Sequence, residues 1–290
     1  MKLVVTGAGG FIGSHVVANL VAHGHTVTAV VGQSRSRLDS LLQSHTRLTV
    51  VAGDLTTPLP LPAQIDGVVH AAARSPLPGV TAYDMVHDNI MATARLLDYA
   101  TAAGAGTFIY LSTLSVYGVI SVPVVDETTA VVNPDVYGMT KYLSEVMLRD
   151  LGLRSMAIRL PGVLGPNSVR NWLTNVLAAA QGGRDIACYN PQAPFNNAVH
   201  IKDLCDFVEN LLSDPSWTGH HAVTVGAKGQ TSVQRAVQII VDTVGSRSLI
   251  CIRDASRPSF TISSESAQRY GYRPMDVESM LMQFASENRQ

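Results

Sequence analysis

The sequence predicts an α/β fold built on a doubly wound parallel sheet, and two observations indicate it. Short apolar runs alternate with segments of helical period through the first half of the chain, which is typical of parallel strands joined by helices. The chain also opens on a strand, a glycine-rich turn and a helix. In such sheets ligands bind at the carboxyl ends of the strands, so we expect the functional residues there.

The opening strand is predicted at Leu3–Val5, and the turn after it contains Gly7, Gly10 and Gly13. Glycines lack a Cβ, so the backbone can bend sharply and approach a phosphate closely. The turn leads into apolar residues of helical period, and the free N–H groups and dipole of a helix N-terminus favour a pyrophosphate. A glycine-rich connector without a ligand is the alternative, but the strand-turn-helix context favours dinucleotide binding.

The next elements follow in order, and two of them end in residues suited to a ligand. Asp54 and Leu55 come directly after the third strand, and three alanines after His70 leave room for a ligand at the end of the fourth. The further strands are predicted at 25–31, 48–51, 66–73, 108–111 and 156–160, with a helix at 87–103.

The end of the second strand bears on the choice between NAD and NADP. An acidic residue there normally binds the ribose 2′-hydroxyl of NAD, whereas a basic residue accommodates the 2′-phosphate of NADP. Val31 and Gly32 occupy that place, and Ser34 and Arg35 follow. The sequence therefore slightly favours NADP. The alternative is that the basic residue belongs to a solvated loop and the protein takes NAD without the acid.

Tyr137 and Lys141 are the candidate acid/base pair. Residues at i and i+4 share one face of a helix. A phenol with a pKa of about 10 is a poor base at neutral pH, but nearby positive charge favours the phenolate. Tyr137 could then exchange a proton with a hydroxyl or carbonyl while hydride moves to or from a nicotinamide.

The glycine spacing G-x-x-G-x-x-G, the segment Ser-Thr-Leu-Ser-Val-Tyr-Gly from Ser112 and the Tyr137/Lys141 helix together resemble the extended short-chain dehydrogenase/reductase family, which includes nucleotide-sugar epimerases, dehydratases and reductases. The resemblance covers nearly the whole chain and implies a Rossmann-type doubly wound parallel sheet with a small C-terminal substrate lobe. It implies a Rossmann domain of residues 1–160 and about 197–226, and an interleaved lobe of about 161–196 and 227–290.

By resemblance, Thr113 binds the reacting oxygen, Tyr137 is the acid/base, and Lys141 also bonds the nicotinamide ribose. Substrate would contact Ser112, Thr113 and Ser115, and Arg257 would grip its phosphates, although Ser259 and Phe260 replace the family's Gly-Asp after that arginine. The cofactor-binding residues would be Gly7, Gly10, Phe11, Ile12, Gly13, Ser34, Arg35, Asp54, Leu55, Ala71, Ala72, Ala73, Asn89, Leu111, Tyr137, Lys141, Pro161 and Val163.

The expected function is NAD(P)-dependent oxidoreduction or epimerisation at a sugar carbon, with a nucleotide sugar as substrate. Where the family's 4,6-dehydratases carry Thr-Asp-Glu, this chain has Thr113-Leu114-Ser115 and lacks the acids of dehydration. One alternative is an NADPH-dependent reductase of a small non-nucleotide ketone or aldehyde. Another is a regulator that senses NADP without turnover. The resemblance further implies a homodimer formed through the helices at 88–103 and 136–150.

Charge and composition limit the other classes of partner. The formal net charge is −1 and there is no long basic run, so neither nucleic acid nor an anionic membrane is an expected partner. No apolar run reaches the roughly 20 residues that span a bilayer, and the default expectation is a cytoplasmic protein. Three isolated cysteines and nine scattered histidines give no metal-ligand spacing, so no metal site is expected.

Overall fold

The alternating apolar runs form a seven-stranded sheet in a computed structural model that describes residues 1–32, 34–253 and 259–289. The strands in chain order are β1 Lys2–Thr6, β2 Thr26–Val31, β3 Leu48–Ala52, β4 Gly67–His70, β5 Thr107–Thr113, β6 Val124–Val125, β7 Ser155–Leu160, β8 Gly162–Leu164, β9 Ile186–Tyr189, β10 Pro194–Phe195, β11 Ala198–His200, β12 His220–Thr224, β13 Thr231–Ser232, β14 Ile250–Arg253 and β15 Thr261–Ile262. The central sheet has the order β12-β7-β5-β4-β1-β2-β3.

The helices lie mainly between these strands. They are α1 Phe11–Ala22, α2 Asp39–Ser44, α3 Ala82–Val86, α4 Ala92–Ala102, α5 Val136–Asp150, α6 Trp172–Gln181, α7 Ile201–Ser213, α8 Val233–Val244, α9 Glu265–Arg269 and α10 Val277–Glu287. Short 3-10 turns span Ser36–Leu38 and Leu114–Tyr117, and a π-helical turn at His87–Met91 joins α3 to α4. None of the helices in the described ranges has the length and apolar character needed to cross a membrane.

Chain contacts divide the protein into two units. The first unit contains residues 1–119, 130–159 and 205–223. The neighbouring strands in the part of the sheet with the order β5-β4-β1-β2-β3 all pair in parallel. Alternate strand residues point to opposite faces of a sheet: Val68 and Phe108 pack with residues of α4 and α5, whereas Gly67 faces Leu212 of α7. Helices thus cover both faces, and the predicted doubly wound parallel α/β class is confirmed.

The second unit contains residues 120–129, 160–204 and 224–290. Its apolar core is formed by α6, α8 and α10 with β9, and it includes Leu173, Ile240 and Phe284. Four two-stranded sheets belong to it: β8 with β11, β9 with β14 and β6 with β15, all parallel, and β10 with β13, antiparallel. Residues 197–204 and 224–226, which the predicted division grouped with the Rossmann domain, lie in this unit.

Several element boundaries differ from prediction. The strand predicted at 66–73 ends at His70, so the three alanines lie in the following loop. The helix predicted at 87–103 is preceded by α3, which Thr81 and Asp84 begin with a capping box, a reciprocal arrangement that fixes a helix start.

Candidate active site

The glycine-rich turn after β1 is held tightly against the loop after β4. Gly7 has φ +67°, and a Cβ at this position would lie 2.5 Å from the backbone nitrogen of Ala72. A Cβ on Gly13 would overlap the Gly7 carbonyl oxygen. Both positions therefore require glycine, and the requirement comes from backbone approach rather than from side-chain chemistry.

Helix α1 begins at Phe11 directly after this turn. Gly10 is its N-cap residue, no side chain bonds to that cap, and the first turn carries no acidic residue. Phe11 and Ile12 are half-buried at the helix start. Unpaired N–H groups and the helix dipole together make such an N-terminus suited to an anion.

A cavity of about 530 Å³ opens beside the turn, in the size range of small-molecule sites. It collects residues from the ends of four strands of the sheet, as expected for a doubly wound fold. Its lining residues are Gly7, Val30, Val31, Gly32, Gly53, Asp54, Leu55, Thr56, Ala72, Ala73, Arg74, Asp88, Asn89 and Ala92.

Asp54 is fixed in the wall of this cavity by its own turn. Its Oδ1 accepts a hydrogen bond from the Thr56 N–H at 2.8 Å, and its carbonyl accepts from the Thr57 hydroxyl at 2.8 Å. Hydrogen bonding from Thr56 lowers the pKa of Asp54. The carboxylate is therefore charged and oriented at neutral pH.

Asn89 connects the cavity to the candidate catalytic helix. Its Oδ1 accepts from the Arg74 N–H at 2.6 Å, and its Nδ2 donates to the Thr140 hydroxyl at 2.9 Å. The Arg74 side chain, which lies at the cavity wall, pairs with Asp88 at 2.8 Å. Asn89 is buried and its amide is used within the protein, so the structure gives it a supporting position behind the alanine loop.

Leu111, Ser112 and Thr113 form the end of β5. Leu111 is buried, whereas Thr113 is half-buried and its Oγ1 accepts from the Ser115 N–H at 3.2 Å and donates to the Ser115 Oγ at 3.3 Å. Ser112 is different, because its buried hydroxyl donates to Glu145 at 2.5 Å. The hydroxyl groups of Thr113 and Ser115 are therefore bonded to each other, whereas the Ser112 hydroxyl is bonded to Glu145 in the protein interior.

Helix α5, which carries Tyr137 and Lys141, begins beside this pair. The Asp135 carboxylate caps the helix by accepting from the Gly138 N–H at 2.7 Å. Gly138 lets the first turn lie directly on the backbone of Ser115, because a Cβ on it would overlap the Ser115 carbonyl oxygen. Tyr137 therefore enters the site beside the segment that carries Thr113.

Burial changes the ionisation of both side chains. Desolvation raises the pKa of Tyr137, and a hydrogen bond with Ser75 opposes this rise. Desolvation lowers the pKa of Lys141 to about 7, against the raising effect of Glu145. The sequence analysis expected nearby positive charge to favour the Tyr137 phenolate. In the protein alone the pKa of Tyr137 is raised instead, because the cost of burying the phenolate outweighs the interactions that stabilise it.

Ser34 and Arg35 follow β2, as predicted from the sequence. Both are exposed, and the Arg35 guanidinium lies 3.6 Å from the Asp39 carboxylate one helical turn later. Neither residue lines the described cavity, although Val31 and Gly32 just before them do.

The remaining predicted residues fall outside the first unit or outside the described residues. Pro161 and Val163 belong to the second unit, where Val163 pairs with Val199 between β8 and β11. Arg257 lies outside the described residues.

The second unit has its own cavity of about 350 Å³. Trp172 and Phe195 meet edge to face in its wall with ring centroids 5.5 Å apart, and the Tyr189 ring is largely exposed. The Oδ1 atom of Asn197 is buried without a hydrogen-bond partner in the described structure. No charged residue occurs among the described residues that line this cavity: Trp172, Ala187, Cys188, Tyr189, Asn190, Ala193, Pro194, Phe195, Asn197, Val233, Val237, Ser259 and Phe260.

Sequence reasoning missed Arg74, Ser75, Gly138, Glu145 and Arg159. Arg74 and Ser75 directly follow the predicted alanine run, and Glu145 lies four residues after Lys141 on the same helix face, so spacing could have suggested all three. Gly138 and Arg159 carry no local signal, because their roles depend on contacts between distant segments. In the described part of the chain no cluster of His, Cys, Asp and Glu suits a metal ion.

Comparison with known proteins adds independent findings. The model of the NAD dependent epimerase/dehydratase family matches residues 3–226. UDP-glucose 4-epimerase of Corynebacterium glutamicum is 27% identical over 94% of this chain and 91% of its own length. The 3 beta-hydroxysteroid dehydrogenase/Delta 5-->4-isomerase of Mycobacterium tuberculosis is 33% identical over 57% of this chain and 47% of its own length.

The fold also matches solved structures. The crystal structure of UDP-glucuronic acid 4-epimerase from Bacillus cereus in complex with NAD superimposes with a TM-score of 0.83, covering 99% of this chain and 98% of that one at 22% sequence identity. At this identity the match shows a shared fold.

Proposed function

Because the chain belongs to the NAD-dependent epimerase/dehydratase family, we propose that it is an NAD(P)-dependent epimerase or oxidoreductase that acts on a sugar carbon of a nucleotide sugar. The observation that carries this proposal is the seating of α5 on the Ser115 backbone, which brings Tyr137 to the segment of Thr113. The cavity of about 530 Å³ lies at the ends of four other strands of the same sheet, β1 to β4.

Three features of the first unit fit a dinucleotide. The cavity is large enough, Gly7 of the glycine-rich turn lines it, and no side chain caps the start of α1. We propose that the α1 N-terminus holds the diphosphate and that Asp54 lies against the adenosine half. A bound NAD(P) would supply the hydride acceptor and donor at the reacting carbon.

Tyr137 is the proposed acid/base for this chemistry. Its phenol would take a proton from the substrate hydroxyl during oxidation and return one during reduction. The Thr113 hydroxyl, oriented by Ser115, would bind the same substrate oxygen. Lys141 lies one turn further along α5 and would favour the phenolate through its positive charge.

The lining of the cavity in the second unit is evidence that the substrate contains a nucleotide. Its walls are aromatic and uncharged over the described residues, which suits a flat heterocycle better than a phosphate. Asn190 and Asn197 in its wall carry amide groups that can hydrogen-bond a base. The related UDP-glucose 4-epimerase is named for a uridine nucleotide, and we propose the same class of ligand here.

The experiment is an assay of UDP-glucose, UDP-galactose, dTDP-glucose and GDP-mannose with NAD⁺ and, separately, with NADP⁺. Interconversion is followed by the ¹H NMR signals of the anomeric protons, and net oxidation of the sugar by the absorbance of the NADH or NADPH that is formed. We expect turnover of at least one nucleotide sugar. In Tyr137→Phe turnover should fall by about 10²–10⁴-fold, with the calorimetric Kd of the dinucleotide unchanged.

Tyr142→Phe is the matched control, because Tyr142 lies on the same helix and is also half-buried. Full turnover by Tyr137→Phe would contradict the acid/base role. Dinucleotide binding by the wild type without turnover of any substrate would instead suit a regulator that binds NADP without catalysis. Absence of dinucleotide binding by the wild type would contradict the whole proposal.

A second candidate is an NADPH-dependent reductase of a small non-nucleotide ketone or aldehyde. The observation that favours it is that Ser259 and Phe260 replace the family's Gly-Asp after Arg257, together with the 33% identity to a 3 beta-hydroxysteroid dehydrogenase over part of the chain. Dinucleotide binding without binding of any nucleotide sugar would support this candidate over the first.

A further inference from the structure

A buried ion pair lies behind the candidate catalytic residues. Glu145 is on α5 and Arg159 is on β7, and the Arg159 Nη2 to Glu145 Oε2 distance is 2.7 Å. Their side chains are 4% and 7% exposed. Burying two charges costs free energy that good geometry only partly offsets, so a buried pair is weak evidence for stability alone.

The pair is bonded to both ends of the segment that carries Thr113. Glu145 Oε1 accepts from the Ser112 hydroxyl at 2.5 Å, on one side of Thr113. Arg159 Nη1 donates to the Tyr117 hydroxyl at 2.9 Å on the other side. The polar groups at both ends of the segment are thereby satisfied, and the segment has one favoured position.

The Glu145 member of this pair also acts on the ammonium of Lys141. Glu145 follows Lys141 by one helical turn, and its negative charge favours the protonated amine. The other faces supply no anion among the described groups that act on Lys141: the Tyr110 ring of β5 lies 4.1 Å from Nζ, and His70 of β4 has a pKa lowered to about 3 by burial and so is neutral.

The two remaining titratable neighbours are also accounted for. Tyr137 lies on the same helix and has a raised pKa, so it is neutral in the chain alone. Arg159 on β7 is a cation, and its charge is directed to Glu145 by three hydrogen bonds. Replacing the Glu145 carboxylate therefore changes the protonation of Lys141 without changing another of the described anions.

We propose that Glu145 and Arg159 are positioning residues of the active site: Glu145 sets the charge of Lys141, and the pair fixes the segment that presents Thr113. The part of this proposal that concerns catalysis rests on the proposed function, because the charge of Lys141 affects turnover when Tyr137 is the acid/base. The effect on Lys141 itself does not depend on any substrate.

The test uses the small number of lysines in the chain, which are Lys2, Lys141, Lys202 and Lys228. The full-length protein is labelled with [¹³Cε]lysine, the signals are titrated with pH by NMR, and Lys141 is assigned with Lys141→Arg. Lys141 of the wild type should titrate at about 7. In Glu145→Gln the midpoint should fall by about one pH unit or more, because a nearby anion is removed.

Arg159→Met provides the opposite change, since it leaves Glu145 without its partner and should raise the Lys141 midpoint. Asp150→Asn is the matched control: Asp150 lies on the same helix but is exposed, so Lys141 should be unaffected. If Glu145→Gln does not fold, Glu145→Gln/Arg159→Met removes both charges, and its Lys141 midpoint must still lie below that of the wild type.

A pair with a merely structural role would give a different result. Loosened packing would admit water and move Lys141 toward its ordinary pKa of about 10.4 in every variant. A Lys141 midpoint that is unchanged or raised in Glu145→Gln, or in the double variant if the single variant does not fold, would overturn the proposal. With a substrate in hand, Glu145→Gln should also shift the alkaline limb of kcat/KM to lower pH, whereas failure to find a substrate leaves the NMR result intact.

Discussion

Arg35 illustrates at the scale of one residue what the loop after β2 can do. Its guanidinium is 66% exposed and lies 3.6 Å from Asp39. Exposed ion pairs of this kind contribute about 0–1 kcal/mol, so the side chain can leave Asp39 for a stronger partner. A 2′-phosphate is such a partner, because guanidinium geometry matches a phosphate. We propose on this ground the slight preference for NADP over NAD.

Arg35→Ala should therefore weaken NADP⁺ binding by about 10–100-fold, the equivalent of one charged hydrogen bond. Binding of NAD⁺ should change by no more than about twofold, since no charge contact is lost. Isothermal titration calorimetry on each variant measures both. Arg149→Ala is the control, because Arg149 is similarly exposed and also lies 3.6 Å from a carboxylate. Equal weakening of both dinucleotides, or tighter binding of NAD⁺ by the wild type, would support the alternative of a solvated loop.

Residues whose chemistry depends on local spacing could be predicted from the sequence. The glycines at 7, 10 and 13 and the Tyr137/Lys141 pair signal a turn and a helix face by position alone. The position of Ser112 could not be predicted, because its hydroxyl bonds to Glu145, 33 residues away, rather than entering the site. Arg159 was missed for the same reason, since it meets Glu145 only when β7 lies in the sheet.

At the scale of elements, the start of α5 determines the geometry of the site. Gly138 has no room for a Cβ, because the Ser115 carbonyl oxygen and the Pro134 ring lie against it. A methyl group there would push the first turn of α5, and with it Tyr137, away from the Thr113 segment.

We expect Gly138→Ala to lower the free energy of unfolding by about 1–3 kcal/mol through overpacking, and to reduce turnover more than dinucleotide affinity. Urea denaturation and the nucleotide-sugar assay measure the two effects. Gly106→Ala serves as control, since a Cβ there would lie 3.6 Å from the Asp66 carbonyl oxygen, an ordinary contact. If Gly138→Ala and Gly106→Ala were equally stable and active, the close seating of α5 would not matter.

The strands of the central sheet were predicted more completely than the helices of the second unit. The central strands are apolar on both faces, as buried parallel strands must be, and their positions were correct to within a few residues. Helix α6 was missed although its buried apolar residues Leu173, Val176, Leu177 and Ala180 recur at helical spacing and Asn171 begins it with a capping box. The π-helical turn at His87–Met91 has no sequence signal of its own.

At the scale of the whole molecule, the first unit has an apolar surface on α3, the π-helical turn and α5. Its exposed members are Tyr83, Val86, Met91, Met139 and Leu143. Exposed large apolar residues grouped on neighbouring helices are typical of interaction sites. We propose that two copies of the chain associate through this surface as a homodimer.

Light scattering after gel filtration should give a mass of twice the 30.9 kDa of one chain. Met139→Glu/Leu143→Glu should give the single-chain mass, because two charges would be buried in the interface without partners. Leu249→Glu, at an exposed apolar residue of the second unit, should keep the larger mass. A single-chain mass for the wild type at micromolar concentration would contradict the proposal.

The two units interleave along the chain, and this has a consequence for biosynthesis. The first unit lacks its edge strand β12 until residue 223 has been made, and the second is complete only when its last segment has been added. Nascent chains of this protein thus carry an unfinished sheet until β12 has been made. Domains formed by one continuous stretch of chain can fold one after another during translation. Because neither unit of this protein is continuous, we expect ribosome-bound chains to need protection of their open strand edges until β12 has been made.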